Sequence, residues 1–208
     1  MVFKKQIIFG IILLQHVYTF SMYRANCTPF ASVQRKKMKS VFYGLIDTAK
    51  VSIFVSIFTI VDKEVARKLA LAKARGVKVK VIMDAASDRN GYGIKELLEE
   101  FKIPTLIYKT SCGINHNKYL IVDDKKSWIS SMNFTNPAYD KNRESAVLIY
   151  SQPVATFFKT DFQEICKKIQ EQVRLERLNK RKIEEELALE KQKHQERMRS
   201  WRAARRKV

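Results

Sequence analysis

His116 and Lys118 stand two residues apart at the head of the run NHNKYLIVDD, residues 115–124. The apolar stretch from Tyr119 to Val122 is expected to form a buried strand, and a lysine at the entry of such a strand needs a partner. Side chains two apart on a strand share a face, so imidazole and ammonium project together. Asp123 has the opposite parity and lies about 16 Å beyond Lys118 along an extended chain, too far to act on the same phosphorus atom. Its expected work is structural, tying the far end of the strand to a loop or to a basic side chain. In SSMNFTN, Ser131 and Asn133 are again two apart, and both side chains hydrogen-bond phosphate oxygens. Glu144 opens the following strand, where its carboxylate can accept a proton from His116 and fix the imidazole's tautomer. A histidine, a lysine, a hydroxyl, an amide and an orienting acid make a set for phosphoryl transfer without a metal or a cofactor. The catalytic candidates are therefore His116, Lys118, Asn133 and Glu144. Lys118, Ser131 and Asn133 are the candidates for holding phosphate.

Each residue taken singly has a plainer explanation. A lone strand histidine is more often a satisfied core residue, Glu144 alone a surface charge, and Ser131 with Asn133 turn chemistry. The pattern H-x-K-x(4)-D arises by chance in roughly one chain in a hundred of this length. The full combination at these separations is much rarer, which favours the chemical reading.

The elements that must position these groups alternate. Apolar residues recur at helical spacing over 35–50, a β-branched strand follows over 51–58, and Asp62 caps a second helix that ends at ARG, 74–76. VKVKVIMD alternates as a strand, and AASDRNGYG carries turn residues. IKELLEEF is then a short helix and PTLIY a further strand. HNKYLIVDD and SWISS form a hairpin around Asp124, Lys125 and Lys126; ESAVLIY is one more strand, and Pro153 opens a long final helix. The fold class is α/β, a mixed sheet flanked by helices.

The chain has 208 residues, 46% of them apolar, enough for one domain with a real core. Forty Lys and Arg against 21 Asp and Glu leave a formal charge of +19. Such a surplus favours a polyanionic partner, nucleic acid or the headgroups of acidic lipids. Residues 167–208 hold fifteen Lys/Arg and seven Glu, so eight of the nineteen charges lie in this tail and eleven elsewhere. The tail lacks Pro and Gly and should be one helix that can contact polyanions. Cys166, Ile169, Val173, Ile183 and Leu187 lie near one seam, but Glu176 and Lys180 interrupt it, so a sustained coiled coil is not expected.

The first residues read as a signal peptide, 1–21: Lys4 and Lys5, an apolar run from Ile7 to Leu14, then Thr19 and Ser21 at cleavage spacing. The expected location is secreted or periplasmic, with an uncleaved N-terminal membrane anchor as the alternative. Cys27, Cys112 and Cys166 form no metal-binding pattern, and at most one disulfide is expected from them.

His116, Lys118 and Asp123, followed by SSMNFT and NRESAVLIY, resemble the phospholipase D superfamily, and within it the small single-motif members. These include a secreted bacterial endonuclease, bacterial phospholipase D proteins and a mitochondrial cardiolipin hydrolase. The resemblance spans about Thr28 to Cys166, including GLIDTAKVSI and LAKARGVKVKVIMD, and so suggests a catalytic domain over 22–166 beside the basic tail 167–208. The family usually has Gly-Ser where this chain has Ser130-Ser131, which adds a hydroxymethyl group at the pocket. The resemblance implies a phospholipase D-like α/β/α sandwich and phosphodiester hydrolysis through a phosphohistidine on His116. Such hydrolysis needs both a nucleophile and an acid for the leaving oxygen. His16 lies in the expected signal and His194 in the tail, so one chain supplies one of two imidazoles. A homodimer supplies both. Nucleic acid is the favoured substrate; phospholipid is the alternative, and a non-catalytic nucleic-acid-binding module is the third reading.

Overall fold

The computed structural model describes residues 25–88, 94–110 and 113–205. The expected signal peptide and Cys112 lie outside these residues. The chain divides into two compact units, Met1–Cys166 and Lys167–Val208.

The first unit is built on one seven-stranded sheet. Its strands are β1 (Asn26–Ala31), β2 (Ser52–Ile57), β3 (Lys78–Asp84), β4 (Thr105–Tyr108), β5 (Lys118–Val122), β6 (Lys126–Ser130) and β7 (Ser145–Tyr150), in the order β1-β7-β6-β5-β2-β3-β4. β2, β3 and β4 pair in parallel, and every other neighbouring pair is antiparallel. The helices are α1 (Arg35–Asp47), α2 (Lys63–Ala74), α3 (Ala85–Asp88), α4 (Ile94–Glu100), α5 (Asn136–Asp140) and α6 (Gln152–Arg205), with one 3-10 turn at Ser32–Gln34.

Every residue of β2 and β5 is buried, because both faces of the sheet are covered. On one face Ile53, Val55, Val81 and Leu120 meet Phe42 and Ile46 of α1 and Leu69 of α2 in a single core. On the other, the first part of α6 supplies Phe162 against Phe54 and Phe158 against Tyr119, with ring centroids 5.3 and 5.2 Å apart. The Tyr119 hydroxyl also donates to Asp161, at 2.8 Å. This is the helix-covered mixed sheet that the alternating elements predict, in the α/β/α arrangement that the resemblance implies. Asp62 caps α2 as expected, its carboxylate accepting the Glu64 amide at 2.9 Å.

Some elements depart from the expectation: α3 forms within AASDRNGYG, expected as a turn. β1 was not anticipated, since NCTPFA is polar, contains Pro29 and buries only Phe30. It pairs with β7 along one side and ends the sheet on the other, a position that tolerates proline. β6 ends at Ser130, so Ser131 and Asn133 lie in the following loop and do not share a strand face. Cys27 and Cys166 are free thiols. No helix among the described residues is long and apolar enough to cross a membrane.

Candidate active site

Lys118 begins β5 opposite Ile57, and His116 lies just before it in a segment without regular secondary structure. That segment is gripped on both sides of the histidine. The Asn115 amide donates to the Asp84 carboxylate at 2.6 Å, and the Asn115 side chain accepts from Ser56 at 3.3 Å and donates to the Ile57 carbonyl at 3.4 Å. The Phe58 amide donates to the Asn117 carbonyl at 3.0 Å. Asp84, at the C-terminal end of β3, is itself fixed by the Ala86 amide at 2.8 Å. The backbone of His116 is therefore anchored to two central strands, yet its imidazole is exposed and has no hydrogen-bond partner among the described residues.

Phe58 joins the two motif residues. Its ring lies 5.4 Å from the His116 ring, and the Lys118 ammonium sits 5.5 Å from the same centroid. That ammonium donates to the His116 carbonyl at 2.7 Å, and Lys118 is buried. Burial pulls the Lys118 pKa below its ordinary value, and the Glu144 carboxylate partly opposes this. The residues expected to share a face thus do gather on one side, around an aromatic ring that strand parity alone did not identify.

Glu144 is held by a separate clamp. Its amide donates to the Ser32 hydroxyl, which lies 3.0 Å from the Glu144 carbonyl and 3.4 Å from that of Asn142. The Arg35 guanidinium donates to the carbonyls of Lys141 and Asn142 at 3.0 and 2.8 Å. The carboxylate accepts from the Ser131 hydroxyl and, at 3.2 Å, from the Asn142 side chain. The expected His116–Glu144 hydrogen bond is not formed within one chain, since both carboxylate oxygens face the loop that carries Ser131 and Asn142. Ser131 also accepts the Ser145 amide at 3.1 Å. Its hydroxyl is thereby committed to positioning Glu144 rather than free for phosphate.

Asn133 differs, because its side-chain oxygen is buried without a hydrogen-bond partner. The next residue, Phe134, is fully buried, packs 4.5 Å from Phe42 and exchanges backbone hydrogen bonds with the segment 59–62. Asn133 is therefore presented from a rigid anchor on the segment that follows Phe58. Ser130 places its added hydroxyl 3.4 Å from the carbonyls of both Lys118 and Met132, on backbone rather than in the pocket. Asp123 stands at the opposite end of β5, where its carboxylate accepts the amides of Lys50, Val51 and Ser52 at 3.1, 2.7 and 3.0 Å. Among the described residues no cluster of three or more His, Cys, Asp or Glu side chains converges as a metal site would require.

The residues that sequence reasoning missed are Phe58, Asp84, Asn115, Ser32 and Arg35. All act from segments remote in sequence, or through backbone atoms that carry no pattern.

Residues 43–166 match the family described as Cardiolipin synthase, PLD-like domain. A phospholipase D of Rickettsia conorii is 34% identical over 63% of this chain and 60% of its own length. The mitochondrial cardiolipin hydrolase of Canis lupus familiaris is 30% identical over 56% of this chain and 46% of its own. The chain thus spans less than two thirds of the length of these relatives. Among solved structures, the phospholipase D family member Nuc from Salmonella typhimurium is 27% identical, covering 69% of this chain and 95% of that one with a TM-score of 0.63.

Proposed function

The chain belongs to the phospholipase D superfamily, and from that premise we propose that it hydrolyses phosphodiesters without a metal, through a phosphohistidine, as a homodimer. The observation that carries this reading is the pairing of an unbonded His116 imidazole with the desolvated Lys118 ammonium over Phe58. A ring nitrogen of one His116 attacks phosphorus. The ester bond to the leaving oxygen breaks, and the partner's His116 donates that oxygen its proton. The same partner imidazole then takes a proton from water, whose oxygen attacks phosphorus and breaks the N–P bond, releasing the phosphomonoester. Lys118 and Asn133 hold the charge that develops on the non-bridging oxygens. Glu144 favours the protonated form of Lys118 against the effect of burial.

Nucleic acid is the favoured substrate, because the positive surplus extends over the catalytic unit as well as the tail. Phospholipid is the second reading, supported by the 34% identity to a protein named phospholipase D. Export through cleavage after Ser21 is proposed with either reading.

The experiment is a side-by-side assay of the purified protein, in EDTA, on DNA, RNA, cardiolipin and phosphatidylcholine vesicles. Cleavage of DNA or RNA, with an acid-labile phosphoprotein absent from His116→Ala, is expected. Headgroup release with intact nucleic acids would transfer the same residues to the phospholipase reading. Activity that disappears in chelator and returns with a divalent metal would overturn the mechanism.

A further inference from the structure

In the second unit, Ile169, Val173, Ile183 and Leu187 follow the alternating three- and four-residue steps of a heptad seam, broken at its middle by Glu176 and Lys180. Helix α6 runs unbroken through this stretch, and Val173, Ile183 and Leu187 are 38%, 56% and 50% exposed. Ile169 is itself buried, so the open part of the seam begins at Val173. The pattern is symmetric about Leu178. Equal steps from it lead first to Glu176 and Lys180, then to Val173 and Ile183, then to Ile169 and Leu187.

We propose that this face pairs antiparallel with the same face of a second copy of the chain, centred on Leu178. Val173 then meets the partner's Ile183, and Glu176 meets the partner's Lys180, each layer occurring twice by symmetry. Every layer joins one a-type and one d-type heptad position, as antiparallel packing of two such seams requires. A parallel pair would instead set Glu176 against Glu176 and Lys180 against Lys180, two like-charge layers inside a partly desolvated seam. The two charges that break the seam within one chain thus select its direction between two.

Within a single chain these charges have little to lose. The Gln172 amide reaches Glu176 at 3.5 Å, and Lys180 lies 3.9 Å from Glu184 with both side chains well exposed. Charge distribution favours a second copy over a polyanion here. Residues 173–190 carry five Lys/Arg and five Glu, whereas 191–208 carry eight Lys/Arg and one Glu. The seam is electrically neutral, and the cations are segregated beyond it.

Disulfide trapping tests this in the full chain with Cys27, Cys112 and Cys166 replaced by serine. Val173→Cys chains mixed with Ile183→Cys chains should cross-link under mild oxidation. Neither variant should cross-link with itself, because like positions lie ten residues out of register, about 15 Å along the axis, beyond disulfide reach. Introducing E176K into both chains should slow cross-linking about tenfold, and adding K180E should restore it. Self-linking of either single variant would establish a parallel pair and overturn the proposal. So would the absence of cross-linking in the mixture, or a rate indifferent to E176K.

Discussion

At the scale of single residues, the candidate site separates the groups proposed to act from the groups that hold them. In the proposed two-fold site His116→Ala removes both imidazoles, so turnover should fall by at least about 10⁴-fold, measured on a chromogenic phosphodiester. Glu144 acts on Lys118 through charge: burial lowers the lysine's pKa and the carboxylate raises it. Glu144→Gln removes the raising influence, so the alkaline limb of the pH–rate profile should move to lower pH. A limb that stays in place or moves upward would remove Glu144 from this role. Asp84 touches no substrate in this scheme, but it receives the amide next to His116. Asp84→Asn should therefore lower kcat by roughly 10–100-fold, the cost of about 1 Å of misplacement, with KM little changed. An equal effect on both constants would point to general loss of structure.

At the scale of elements, the sheet works through its ends. The start of β5 carries the proposed chemistry and its far end carries stability. Burial pushes the Asp123 pKa up, but the amides of Val51, Ser52 and Lys50 bring it below the ordinary value. A depressed carboxylate stabilises the fold above its unfolded pKa and loses that contribution as pH falls through the folded one. Asp123→Ala should thus cost about 1–3 kcal/mol at neutral pH and converge with the wild type in acid, as urea unfolding at several pH values would show. Ser32→Ala, which opens the clamp on Glu144, should cost about 1–2 kcal/mol and also reduce activity. Much of this was legible in the sequence. The near-continuous apolar runs around Val55 and Leu120 specify strands buried on both faces, the alternation around Val81 specifies a strand, and the spacing of His116 and Lys118 announces the candidate site. β1 was not legible, because an edge strand buries one residue and needs no apolar alternation. Nor was Ser131's commitment to Glu144, since strand parity ceases at Ser130, where the chain leaves the sheet.

At the scale of the whole molecule, the proposed site needs two chains and the proposed substrate is a polyanion. Dimers that pair one wild-type chain with one His116→Ala chain should be inactive, because each composite site lacks one imidazole. A fully active monomer in sedimentation at assay concentration would contradict this. Replacing Lys191, Lys193, Arg197 and Arg199 with glutamine should leave turnover of a small phosphodiester unchanged. The slope of log affinity against log salt should flatten by about 0.9 for each duplex-DNA phosphate that the tail no longer neutralises. An unchanged slope would free the tail of any part in binding.

The pairing of β1 with β7 bears on when the chain becomes competent. Asn26–Ala31 is the first described strand, yet its partner, Ser145–Tyr150, follows more than a hundred residues later. Ser32, directly after β1, grips Glu144, directly before β7. During synthesis the early strand must wait for the late one, and closing so long a loop comes after local structure has formed. A chain still emerging therefore carries its histidine and lysine without a fixed carboxylate beside them. The proposed reactivity is deferred until β1 and β7 have met.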